Sequence, residues 1–219
     1  MYYKQKEFLP GNLRFNSENS QYTVNSKGYR TVEFDNVDWN NSVVLFGCSM
    51  GFGVGLEENE TISHQLSLLI DRPVINMCVP ASSINYACYN QMVMQELGIV
   101  PHAVINLWTS LERCTYFLKK QPFNMGPWVD ETAFDYKLTT FYSTWSMNDD
   151  NVNANALIAK RTVDLFWQNT KHLQASVFKH TAKLLDVEHL SMKDHAKDKM
   201  HPGPLTAKQI AEWSGSSVG

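Results

Sequence analysis

Two segments far apart in the chain carry the residue types of nucleophilic catalysis. One is the glycine-rich stretch GCSMGFGVG at 47–55, with Ser49 near its start; the other is Asp198-Lys199-Met200-His201-Pro202-Gly203. A serine hydroxyl is a weak nucleophile until a base takes its proton, and the base needs an acid to orient it. An aspartate three residues before a histidine can reach its Nδ1 and leave Nε2 free. Pro202 biases His201 away from helical backbone, and Pro-Gly then fixes a turn from which an imidazole projects. The chemistry of such a set is acyl transfer, with Ser49 as nucleophile, His201 as base and Asp198 as orienting acid.

Both segments admit other readings. A dinucleotide fingerprint needs G-x-G-x-x-G; Gly51 and Gly53 fit, but the third position falls on Leu56. A phosphate-binding loop needs Gly-Lys-Ser/Thr, and the stretch has no lysine. Residues 47–51 match the G-x-S-x-G nucleophile elbow, yet Ser49 follows the first clear strand, too early for an α/β-hydrolase. The plainer alternative is a tight turn with Ser49 as a polar turn residue. At the other end, Asp186-Val187-Glu188-His189 repeats the Asp-x-x-His spacing, and His195 adjoins Asp194. Only the Asp198/His201 pair is followed by Pro-Gly and a helix. A divalent-metal site drawing on His189, Asp194, His195, Asp198 and His201 is the competing use of these residues.

Elements that could position the two segments are legible in the first half. SVVLFG at 42–47 is a short, β-branched run that reads as a buried strand. Asn59 is placed to cap a helix at about 60–71, with Ile62, Leu66 and Leu69 on one stripe. A second strand is expected from Val74 to Val79, a helix at about 83–98 and a third strand from Ala103 to Trp108. Strands alternating with helices at this spacing make right-handed βαβ units and a parallel sheet. The pattern weakens after about 110. Residues 111–150 read as loops and short elements, 153–170 as a helix, and 173–192 as room for a strand that cannot be placed. A final helix runs from Pro204 or Leu205 to Trp213, and the Gly/Ser-rich end at 214–219 is expected to fray.

The 219 residues suit one domain with an irregular lead-in at 1–40. With 43% hydrophobic and 19% charged residues, the chain has the material for a core. A net charge of -3 and the absence of basic runs argue against a nucleic-acid partner. No apolar run approaches the roughly 18 residues of a membrane span. The N-terminus lacks the apolar segment of a signal peptide, so the cytoplasm is the expected compartment. Cys48, Cys78, Cys88 and Cys114 form no C-x-x-C pair and read as free thiols.

With both segments in hand, the chain resembles the SGNH/GDSL hydrolase superfamily over about 24–213. VNSKGYRTVEF (24–34) is similar to a lead-in of one branch, VVLFGCSMGFGVG to the first block, VINMCVPASS (74–83) to the second, and DKMHPG to the last. Cys48 in place of the commoner aspartate points to a Gly-Cys-Ser branch. The resemblance implies a three-layer α/β/α sandwich around a five-stranded parallel, flavodoxin-like sheet. It also implies a Ser49–His201–Asp198 triad, with no metal and no cofactor.

Two departures matter. Cys78 and Ala81 replace second-block glycines, and the N–H of Ala81 is the oxyanion donor the resemblance assigns there, beside that of Ser49. The third block expects G-x-N-D, whereas this chain has Trp108-Thr109-Ser110-Leu111, so Thr109 or Ser110 must replace the missing asparagine. Loss of one oxyanion donor costs about 10²–10³ in rate. Trp108 and Arg113 are the substrate-facing candidates, Arg113 either contacting an acidic substrate or holding its loop. Ten of the 26 aromatic residues fall within 108–145, a density that suits stacking on a sugar ring as well as packing of loops. The expected activity is therefore ester hydrolysis on a small-molecule or glycan ester, an acetylated glycan among them. A non-catalytic binding protein of the same fold and an acyltransferase on the same triad are the alternatives.

Overall fold

The computed structural model describes residues 7–11, 22–118, 121–128, 136–146 and 148–219. Strand β1 is Val43–Phe46, β2 Val74–Asn76 and β3 Ala103–Leu107. Strands β4 (Cys114–Leu118) and β5 (Gln121–Met125) form a separate antiparallel hairpin, followed by β6 (Lys171–Ser176) and β7 (Glu188–His189). The helices are α1 (Ser49–Phe52), α2 (Ile62–Ile70), α3 (Ile84–Glu96), α4 (Tyr136–Phe141), α5 (Asp149–Phe166), α6 (Lys179–Leu185) and α7 (Pro204–Val218).

The main sheet has five strands in the order β2-β1-β3-β6-β7, and every neighbouring pair is parallel. This is the flavodoxin-like order, with the chain reversing its direction of travel between β1 and β3. A parallel sheet must be covered on both faces, which is why VVLF is buried at all four positions. Alternate residues serve opposite layers. Val44, Phe46 and Val104 pack with α3 and α5, through Met94, Ala159 and Val163. Val43, Leu45 and Ile105 pack with α2 and α7, through Leu66, Ile210 and Ala211. The result is an α/β/α sandwich.

Several boundaries shift from expectation for local reasons. Helix α2 is capped by Thr61, whose side chain accepts from the N–H of His64, while Asn59 lies in a preceding 3₁₀ turn. The second strand ends at Asn76 instead of Val79, because the amide of Asn76 turns back to accept from the N–H of Cys78. The Gly/Ser-rich end does not fray within the described structure. It completes α7, with Ser214 bonded to the carbonyl of Ile210 and Val218 fully buried against α2's layer. Small side chains at 214–217 suit a helix end that packs closely on α2.

Candidate active site

Ser49 is the first residue of α1, directly past the end of β1, and is 4% exposed. Phe46 and Asn106 are the last paired residues of β1 and β3, so Ser49 and Thr109 each lie three residues beyond one pairing. Both sit at the carboxyl ends of strands flanking the point where strand order reverses, where open α/β sheets bind ligands.

The turn that carries Ser49 is held from below and from the side. Gly51 has no room for a side chain, since a Cβ there would lie 2.4 Å from Sγ of Cys78. Arg30 does the rest. Its guanidinium is buried, pairs with Glu58 through Nε at 2.9 Å, and donates to the carbonyls of Phe52 (3.3 Å), Gly53 (2.8 Å) and Leu56 (3.1 Å). It lies against the rings of Tyr22 and Phe52, at 4.8 and 5.7 Å, which also meet each other edge to face. A planar fork of five donors suits this many carbonyls, and a lysine would not span them. Arg30 itself is fixed by the compact loop before it, where Oδ1 of Asn25 accepts from the N–H groups of Lys27 and Tyr29.

Asp198 and His201 occupy a closed loop between β7 and α7. The loop is bracketed by a bridge between His195 and Pro202, with the N–H of Ala196 donating to the carbonyl of His201 at 2.8 Å. Nδ1 of His201 lies 2.5 Å from Oδ2 of Asp198, and Oδ1 accepts from the N–H groups of Met200 and His201, each at 3.0 Å. Burial raises the Asp198 pKa, but these hydrogen bonds outweigh it and hold the carboxyl below its ordinary value. The carboxylate is therefore charged wherever the histidine would need it. Asp194 has another task. It accepts from the N–H groups of Leu205 and Thr206 and from the Thr206 hydroxyl, capping α7 from outside the helix.

This loop rests on the glycine-rich turn. Gly55 has φ 80°, and a Cβ there would lie 2.8 Å from Cβ of Ala196 and 3.5 Å from Cγ of Asp198. Lys197 pairs with Glu57 alongside. The two candidate segments are thus in contact through 55–57 and 196–198. The hydroxyl of Ser49 donates weakly to Sγ of Cys48 at 3.9 Å, and no hydrogen bond joins it to His201. Catalytic hydrogen bonds are often long until substrate binds.

The remaining candidates separate cleanly. Ala81 adopts the left-handed conformation, φ 64°, that its glycine-like position demands. Its turn is tied to the first block, with Val79 N–H and the Ser82 hydroxyl both donating to the carbonyl of Gly47. Among the described residues, neither the N–H of Ser49 nor that of Ala81 has an intramolecular acceptor. Thr109 is 3% exposed and its hydroxyl is buried with no partner. Ser110 instead donates to Glu112. Trp108 lies in the core, 2% exposed, with its indole N–H on Gln174 at 2.9 Å. Arg113 stacks on Trp128 at 5.1 Å. His189 and His195 are exposed, and among the described residues no three His, Cys, Asp or Glu side chains form a metal-binding group.

Comparison with known proteins adds the following. TesA is 10% identical with a TM-score of 0.48, covering 80% of this chain and 97% of its own. An acetyl xylan esterase, Est2A from the rumen bacterium Butyrivibrio proteoclasticus, is 8% identical at TM-score 0.48, over 81% of this chain and 63% of its own. AlinE4, an SGNH-hydrolase family esterase, is 12% identical at TM-score 0.36, over 84% and 97%. The chain is similar to SGNH hydrolases of known structure. No family model and no curated protein matches it. At such identities the functional reading rests on the site's own geometry. Among the described residues no helix is long and apolar enough to cross a membrane.

Arg30 is the residue that sequence reasoning passed over. Its one signal was its place at the end of the NSKGYR lead-in, which gave no role to the guanidinium.

Proposed function

We propose that this chain is a serine ester hydrolase in which Ser49, His201 and Asp198 act as the triad. The observation that carries the reading is Thr109: a buried hydroxyl with no partner, three residues beyond the last β1–β3 pairing, as Ser49 is on β1. An unsatisfied buried hydroxyl is costly in a resting protein, and beside a nucleophile it is an oxyanion donor awaiting its acceptor. Thr109 rather than Ser110 replaces the family's asparagine in this reading, because the Ser110 hydroxyl is already used.

In the reaction, Oγ of Ser49 attacks the ester carbonyl carbon while Nε2 of His201 takes its proton. The ionised Asp198 stabilises the imidazolium. Charge gathers on the carbonyl oxygen, where the N–H groups of Ser49 and Ala81 and the Thr109 hydroxyl receive it. Collapse of this intermediate expels the alcohol, which takes the proton from His201. Water activated by His201 then releases the acid and restores Ser49. The chemistry needs no metal or cofactor. An acetylated glycan is the substrate class proposed, from the aromatic density after β3, and the cytoplasm the proposed compartment.

The absent Ser49–His201 hydrogen bond favours a second reading, a non-catalytic binding protein of the same fold. Hydrolysis of p-nitrophenyl acetate separates the two. The esterase reading expects turnover that is insensitive to EDTA and falls by at least about 10³-fold in Ser49→Ala and in His201→Ala, with His189→Ala and His195→Ala near wild type. Absence of turnover in the wild-type protein favours the binding reading. Loss to EDTA with recovery on added zinc contradicts the triad.

A further inference from the structure

Between α3, the stretch 111–116 and α5 lies a cavity of about 280 Å³ that the triad does not use. Its walls are the first turn of α3, the stretch from Leu111 through β4 to Tyr116, and the start of α5. Five buried polar side-chain atoms lack a partner among the described residues, and four of them belong to Thr109, Arg113, Thr139 and Ser146. Thr109 has its role above. Arg113 and Ser146 line the cavity.

The state of Arg113 is the informative one. Its Nη1 is buried without an acceptor, and no carboxylate among the described residues pairs with it. The neighbouring Glu112 is engaged by Ser110. Stacking on Trp128 fixes the guanidinium plane but gives the buried Nη1 no acceptor. Oγ of Ser146 is likewise buried with no oxygen or nitrogen partner, beside the Cys114 thiol. Ile84 and Asn85, the first residues of the 13-residue helix α3, line the same space, and their N–H groups have no intramolecular acceptor among the described residues. The rest of the lining is mixed, with Leu111, Phe141, Val152 and Ala156 beside the polar Thr115, Tyr116, Asn151 and Asn155. The exposed Asp149 and Asp150 of α5 do not line it.

We propose that this cavity binds a carboxylate borne on a compact apolar body, with Arg113 as its ionic partner and Ser146 as a second donor. A lone guanidinium neutralises a monoanion, whereas a phosphate dianion would leave one charge without a cationic partner beside Leu111, Phe141, Val152 and Ala156. The volume lies at the small end of ligand pockets, about 300–1,000 Å³, which limits the body to a short aliphatic chain or a single ring. The cavity adjoins the catalytic edge. Thr115, in its wall, bonds the hydroxyl of Ser83, two residues after Ala81, at 2.6 Å.

Binding is measured without turnover, so the proposal stands or falls apart from ester hydrolysis. Titration calorimetry on the wild-type chain would compare benzoate and butyrate with benzamide, which is uncharged, and with inorganic phosphate. The expected result is saturable binding of a carboxylate, at least about tenfold tighter than benzamide and tighter than phosphate. Arg113→Gln should lose at least about tenfold, Ser146→Ala a few-fold, and Ser49→Ala nothing. Benzamide binding as well as benzoate, phosphate binding more tightly, or no saturable carboxylate binding would each overturn the proposal. The first comparison needs no variant, so a folding defect in Arg113→Gln cannot mask the answer. Equal benzoate affinity in a folded Arg113→Gln protein would also overturn it.

Discussion

The two walls at the carboxyl edge of the sheet are finished to different degrees. On one side stand the glycine-rich turn and the 194–203 loop. There Arg30 occupies three carbonyls, Asp194 caps α7, and Asp198 receives hydrogen bonds from the backbone of Met200 and His201 and from the imidazole. On the other side, from Thr109 to Ser146, lie four of the five partnerless buried polar atoms among the described residues. The difference separates two requirements. Groups that must hold a nucleophile and its base in place are satisfied by the protein itself, so their geometry exists before substrate arrives. Groups that must meet changing or foreign charge are left open, at a cost in stability.

The contrast is broken most forcefully at Arg30. Arg30→Ala would strand three carbonyls and remove the pair with Glu58, and should lower stability by about 3 kcal/mol or more, read by urea unfolding. Arg30→Lys should recover only part, since an ammonium cannot reach all three. If Arg30→Ala unfolds at the wild-type midpoint, the first wall is not held as described.

Thr109→Val tests the second wall with the opposite signature. It removes a hydroxyl that has no partner, so stability should stay level or rise by up to about 1 kcal/mol. The kcat should fall about tenfold or more with little change in KM, because the contact forms only in the transition state. Ser110→Ala should do the reverse, with activity within about twofold and a small stability loss. A destabilised but fully active Thr109→Val would put the oxyanion hole elsewhere.

The smallest effect is at Ala81, where an L-residue holds a left-handed conformation. Ala81→Gly relieves about 1–2 kcal/mol of strain and adds back part of it as chain entropy, leaving a net gain of up to about 1 kcal/mol in thermal unfolding. Destabilisation would mean that the methyl group packs usefully.

The sheet's first three strands were readable from sequence because each is mostly apolar, VVLF wholly and the other two interrupted only by Asn76 and Asn106. Strand β6 was not, and the reason is specific. KHLQAS presents His172 and Gln174 to the α3/α5 layer, where they join Asn106, Trp108 and Asp164 in a polar network. Burial pushes the half-buried His172 down to about 4, and its neutral ring joins a polar network that no hydropathy pattern reveals. In the candidate site, Asp198 and His201 were legible through local spacing, since a carboxylate three residues ahead reaches the ring within one turn. The choice between Thr109 and Ser110 was not, because it depends on Glu112 capturing one hydroxyl and not the other. Arg30 was illegible for the same reason: its partners lie 22 to 28 residues on, in carbonyls that every sequence has.

The central claim is that Ser49 is a nucleophile activated by His201, and covalent capture tests it most directly. Incubation with a fluorophosphonate, followed by intact mass and peptide mapping, should give a single phosphonyl adduct on Ser49. The adduct should be absent in Ser49→Ala and form at least about 10²-fold more slowly in His201→Ala. An unmodified wild-type chain, an adduct on another residue, or labelling of His201→Ala at the wild-type rate would contradict the account.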